Sequence, residues 1–140
     1  MGFALLAGSF ELIYMFTTTP YSQKISKPWG YEIIFTPSNL ERVGKILYVK
    51  KGCRLSLQYH DQKEETLCLV SGKAKIWLEN SQGKILHLLM KPKSGYTILL
   101  GQKHRIEAIE NSYLIEASSP EIGQTFRIED DYKRGTEKLK

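Results

Sequence analysis

The sequence predicts an all-β domain, a sandwich or closed barrel of short strands. Three observations carry this reading. Apolar and polar residues alternate over short runs, the period of a strand with one face in a core. Turn-forming residues recur between those runs at the spacing of hairpins. No long stretch places apolar residues at the three-to-four spacing of an amphipathic helix.

The expected strands are Tyr31–Phe35, Val43–Lys50, Arg54–His60, Thr66–Ser71, Lys73–Glu79, Lys84–Met90, Thr97–Leu100, Arg105–Ile109 and Ser112–Ser118. Lys51-Gly52, Ser71-Gly72, Asn80-Ser81-Gln82-Gly83, Lys93-Ser94-Gly95, Gly101 and Glu110-Asn111 separate them. Alternation is clearest in Lys73–Glu79, where Ala74, Ile76 and Leu78 share one face and Lys73, Lys75 and Trp77 share the other. Many short strands joined by short turns form a sandwich or a closed barrel.

With 140 residues, 41% of them hydrophobic and 25% charged, the chain suits one globular domain with one core. The net charge is +5, but Lys and Arg are spread along the whole chain. The densest group is Lys133, Arg134, Lys138 and Lys140. No basic stripe or nucleic-acid module accompanies them, so a nucleic-acid partner is not expected. The first sixteen residues are apolar, but they lack a positively charged start and Glu11 interrupts them. They read as neither a secretory signal nor a membrane span, and the protein is expected to be cytoplasmic with no membrane partner. Residues 1–26 are expected to be an N-terminal extension, with Met15 an alternative start, residues 27–135 the domain, and residues 136–140 a loose polar tail. Cys53 and Cys68 lack metal or redox spacing. Free buried thiols are the default, although the sequence leaves a disulfide open.

The informative segment runs from Gly52 to His60. As one continuous strand, it puts Leu55, Leu57 and Tyr59 on an apolar face and Arg54, Ser56, Gln58 and His60 on a polar one. A polar row of this kind is by itself usually the wet face of a sheet. Spacing tips the balance. Gln58 and His60 point the same way, Asp61 to Glu64 make a short turn, and Glu65 opens the next strand beside them. Gly72 then supplies a tight turn. His87, between Leu86 and Leu88, is assigned no special role, and Glu64 is expected to be solvated.

The phrase Gly52, Gln58, His60, Glu65, Gly72 resembles the first motif of the cupin superfamily, with glutamine where most cupins carry histidine. Gly101-Gln102-Lys103-His104 is similar to part of the second motif, although Leu99 replaces its proline and Ala108 its later asparagine. The flanking phrases are similar to the C-terminal cupin domain of type II phosphomannose isomerase (mannose-6-phosphate isomerase). They are Lys27 to Glu32, Arg54 to His60, Val70 to Ala74 and Phe126 to Arg134, and together they span most of the chain. The resemblance implies a cupin double-stranded β-helix, a jelly-roll barrel. It also implies that Gln58, His60, Glu65 and His104 hold one divalent transition metal. Imidazole, carboxylate and amide donors suit zinc first, and also manganese, iron, cobalt or nickel.

The activity so implied is sugar-phosphate aldose–ketose isomerisation of the mannose 6-phosphate type. Lys63 and Arg54 would be catalytic, and Lys103 and Arg54 would hold the substrate. The family tends to carry an arginine after the ligand histidine, whereas this chain has Asp61, Gln62 and Lys63 there. Lys63 keeps the charge but not the forked geometry. Two other readings are a non-catalytic cupin that binds a sugar or sugar nucleotide, and an iron-dependent dioxygenase. Pairing of two copies into a homodimer through their sheets is compatible with the resemblance.

Overall fold

A computed structural model describes residues 18–139. The expected leader segment and the alternative start at Met15 lie outside the described residues. Among the described residues twelve strands form two antiparallel sheets. The first sheet holds β1 (Gln23–Lys27), β2 (Gly30–Ile34), β3 (Val43–Val49), β10 (Ser112–Ser118), β5 (Glu65–Ser71) and β8 (Gly95–Ile98), in that order. The second runs β12 (Glu137–Lys138), β11 (Gln124–Glu129), β4 (Leu57–His60), β9 (His104–Ala108), β6 (Ala74–Glu79) and β7 (Ile85–Leu89). Neighbours such as β3 and β10, or β4 and β9, are far apart in sequence. The chain therefore alternates between two sheets that face one another, the jelly-roll arrangement.

All nine expected strands form, most of them shifted at their ends by one or two residues. Three others, β1, β11 and β12, were not expected. The segment written off as a loose tail contributes β12, whose Glu137 and Lys138 pair with Thr125 and Gln124 of β11. Among the described residues no helix is long and apolar enough to cross a membrane. Cys53 and Cys68 are both free and half-buried.

The turn between β5 and β6 depends on Gly72. Its φ is 90°, and a Cβ there would collide with the Asn111 carbonyl and the Ser112 side chain. A residue with no side chain satisfies both demands.

The interior has two ends. Along each inward row the polar residue comes at one end and the apolar ones follow. β5 presents Glu65, then Leu67 and Leu69; β9 presents His104, then Ile106 and Ala108; β3 presents Lys45, then Leu47 and Val49. β10 runs antiparallel to β3 and β5, so its order reverses, with Leu114 before Glu116. The apolar rows meet Trp29, Ala74, Ile76, Met90 and Ile98 to form the core. Burying these side chains contributes about 1.5–3 kcal/mol for each large one, and the polar end is built on that support.

Candidate metal centre

The polar end opens into a cavity of about 510 Å³, within the range of small-molecule sites. Its wall carries Gln58, His60, Lys63, Glu65 and His104. Ser56, just before β4, and His60 on it therefore lie on no wet face: they are 1% and 3% exposed.

His60, Glu65 and His104 converge there. The donor atoms of the three all lie within 4.8 Å of one another. His104 Nε2 is 2.9 Å from Glu65 Oε1, and His60 Nε2 is 3.7 Å from Glu65 Oε2. Among the described residues neither Nε2 has a hydrogen-bond partner, although both are buried. The opposite nitrogens are engaged. His104 Nδ1 is 2.9 Å from the Gln102 carbonyl oxygen, which can only accept, so Nδ1 carries the proton and Nε2 presents a lone pair. His60 Nδ1 is 2.9 Å from the Thr125 hydroxyl. A metal-binding histidine is oriented in this manner, through a partner on its far nitrogen.

Electrostatics favour a cation in the same place. Burial holds the His60 imidazole below its usual pKa, so it stays neutral. Burial alone would raise Glu65, but the Lys63 ammonium holds it well below the usual carboxylate range. Lys63 is 4% exposed and lies 3.1 Å from Glu65, 3.0 Å from Glu116 and 3.3 Å from Glu121. Burial opposes its charge, yet Glu116, Glu65 and Glu121 push its pKa well above the ordinary value. Lys45 joins from β3, paired with Glu121, Glu32 and Glu116. Two buried ammonium groups thus serve four carboxylates, Glu32, Glu65, Glu116 and Glu121, with Lys27 reaching Glu32 at 3.7 Å. The cluster is short of positive charge. Burial accordingly raises the pKa of Glu116. Bare imidazole nitrogens, an ionised carboxylate and a deficit of positive charge fit a divalent transition metal.

Gln58 lines the same cavity, with its Oε1 accepting a 2.6 Å hydrogen bond from the Ser56 hydroxyl. Lys63 is at the wall as expected, but as a fully paired cation rather than a group able to give up a proton.

Arg54 and Lys103 are not among the residues lining the cavity. Arg54 forks onto Asp131 at 2.7 and 2.9 Å and lies over Trp77. The cause is a one-residue slip. Arg54 pairs with Glu107, while Gln58 pairs with His104. Four steps on one strand match three on the other, so the parity that puts Gln58 inside puts Arg54 outside. Lys103 precedes an inward histidine and so takes the opposite face. Its backbone is tied to Glu79.

Sequence reasoning missed Glu32, Lys45, Glu116, Glu121 and Arg127. The first four share the charge cluster, and Arg127 lines the cavity beside Gln58. Lys45 and Glu116 share parity with the buried Leu47 and Leu114, which was the available signal.

A jelly roll with two histidines and a carboxylate gathered inside one end is the architecture of a cupin. The chain belongs to the mannose-6-phosphate isomerase C-terminal family, which its sequence matches over residues 17–134. No curated protein matches it significantly. Among solved structures it is similar to CapF, a capsular polysaccharide assembling protein from Staphylococcus aureus. That match has a TM-score of 0.60 and 17% identity, over 91% of this chain and 34% of that one. KdgF from Halomonas sp. gives a TM-score of 0.58 and 18% identity, over 71% of this chain and 87% of that one. Oxalate decarboxylase OxdC of Bacillus subtilis gives 0.64 and 17%, over 76% and 30%. At these identities the likeness is one of fold, and this chain spans about a third of the CapF chain.

Proposed function

We propose that this protein is a metal-dependent aldose–ketose isomerase acting on a sugar phosphate, with mannose 6-phosphate and fructose 6-phosphate as the substrate pair. The observation that carries this is the pair of bare, buried imidazole nitrogens beside Glu65 at the wall of the cavity, in a chain of this family. His60, Glu65, His104 and the Gln58 amide oxygen would hold the metal, which when bound would polarise the sugar carbonyl. An amide oxygen has a second lone pair beyond the one given to Ser56.

The remaining work falls to side chains. Isomerisation moves a proton between adjacent carbons. Glu116 is a buried carboxyl at the cavity wall whose pKa is raised by burial, and it would be the group that accepts the proton and returns it. Lys63 stays charged and fixes Glu65 and Glu116 in place.

Sugar or sugar-nucleotide binding without turnover is a second reading. It is favoured by Lys63, which three carboxylates engage and which is therefore not free to grip a substrate. A coupled assay from mannose 6-phosphate, with each candidate metal and then with chelator, separates the two. Turnover abolished by chelator supports the isomerase. Binding without turnover under every metal rejects it in favour of the second reading.

A further inference from the structure

Arg127 occupies a position the mechanism above does not use. It stands on β11 directly opposite Gln58, and Gln58 stands directly opposite His104 on its other side. Three neighbouring strands thus carry Arg127, Gln58 and His104 in one row. The backbone at Arg127 is two strand spacings from that at His104, about 10 Å. The arginine lines the cavity, and its side chain is 11% exposed.

Its guanidinium is only partly satisfied from within the barrel. One terminal nitrogen donates to the Gly135 carbonyl at 2.6 Å, and the other to Glu137 Oε2 at 2.6 Å. Nε is buried and has no hydrogen-bond partner among the described residues. Both partners come from the last few residues. Glu137 sits on β12, which is two residues long, and its side chain is 45% exposed. A carboxylate on a short, exposed strand thus fills one branch of a fork whose Nε is left unpaired.

We infer that Arg127 is the phosphate-holding residue of this cavity, and that the Glu137 carboxylate occupies its place until a phosphomonoester displaces it. A phosphate dianion would take Nε and the terminal nitrogen now given to Glu137, a side-on, two-pronged contact that a guanidinium makes well. The row then orients the substrate: the phosphate lies at Arg127, the carbon chain crosses Gln58, and the carbonyl end reaches His60, Glu65 and His104. The span suits a sugar phosphorylated at the end away from its carbonyl. No covalent step is involved; release of β12 opens the site. The sugar's identity rests on the isomerase reading, whereas the phosphate contact does not.

The test is calorimetric titration of the full chain with mannose 6-phosphate, mannose and inorganic phosphate, in the unaltered protein, Arg127→Met and Glu137→Gln. Glu137→Gln removes the competitor and is expected to tighten mannose 6-phosphate about three- to tenfold. Arg127→Met is expected to weaken it about ten- to a hundredfold, with mannose unchanged in both. Inorganic phosphate should follow mannose 6-phosphate in direction. The inference is overturned if Glu137→Gln binds mannose 6-phosphate no more tightly than the unaltered protein, or if neither binds it. Should Arg127→Met fail to fold, the Glu137→Gln result decides alone. Turnover measured on the same samples addresses the isomerase separately. Turnover with no tightening of mannose 6-phosphate in Glu137→Gln sinks this inference and leaves that reading standing; tightened phosphate binding without turnover does the reverse.

Discussion

Gln58 and His104 face one another across β4 and β9, although 46 positions separate them in the chain. This pairing brings the second histidine to the first. Glu65 arrives from the other sheet, on β5, and closes the group from across the barrel. The site is therefore held by both sheets at once, and its geometry depends on the whole barrel rather than on any one hairpin.

Lys63 is the keystone of the charge cluster. Replacing it with methionine removes the ammonium that faces Glu65, Glu116 and Glu121 and strands buried carboxylates. The expected loss is about 3–5 kcal/mol, read as a fall in the urea midpoint. Adding Glu116→Gln to that variant should recover part of the loss, because one stranded charge is gone. An unchanged midpoint in Lys63→Met would contradict the cluster's role.

The metal-free protein should weaken in mild acid. Burial lowers the folded pKa of His60 below its ordinary value, so the unfolded chain, near 6.5 (about the free value), takes up the proton first. Stability is then full above about pH 6.5 and falls as pH drops from there towards the folded value. Urea midpoints at pH 7.5, 6.5 and 5.5 (steps of about one unit across that pKa), with chelator present, test this. The decline should shrink in His60→Gln. A midpoint that rises on acidification would contradict it.

Arg54→Ala should leave sugar binding and turnover as they are. Arg54 is bound to Asp131 on the outside of the barrel, and losing a largely exposed pair costs about 0.2–1 kcal/mol. A large rise in KM would return Arg54 to the substrate.

The extent to which the sequence could be read follows from which way charges point. The nine expected strands are visible because their apolar residues alternate. β11 is not, because its inward positions are Thr125 and Arg127, which read as loop. β12 is two polar residues that mean nothing without β11 beside them. His60, Glu65 and His104 are legible because their spacing matches a motif. Lys45 and Glu116 are not, because a charge on an otherwise apolar row suggests that the opposite row is buried. In β10 the row containing Ile115 is the more exposed one, and the row containing Glu116 lies inside. Arg54 was misplaced because parity was carried through a slip in register that only the pairing reveals.

The most direct test of the metal centre is elemental analysis of the purified chain beside His60→Ala and His104→Ala. The unaltered protein, reconstituted and dialysed, is expected to hold about one transition-metal ion per chain, and each variant to retain little, with its fold intact by circular dichroism. Equal metal content in all three, or none in the unaltered protein after reconstitution with zinc, manganese, iron, cobalt and nickel in turn, would contradict the account.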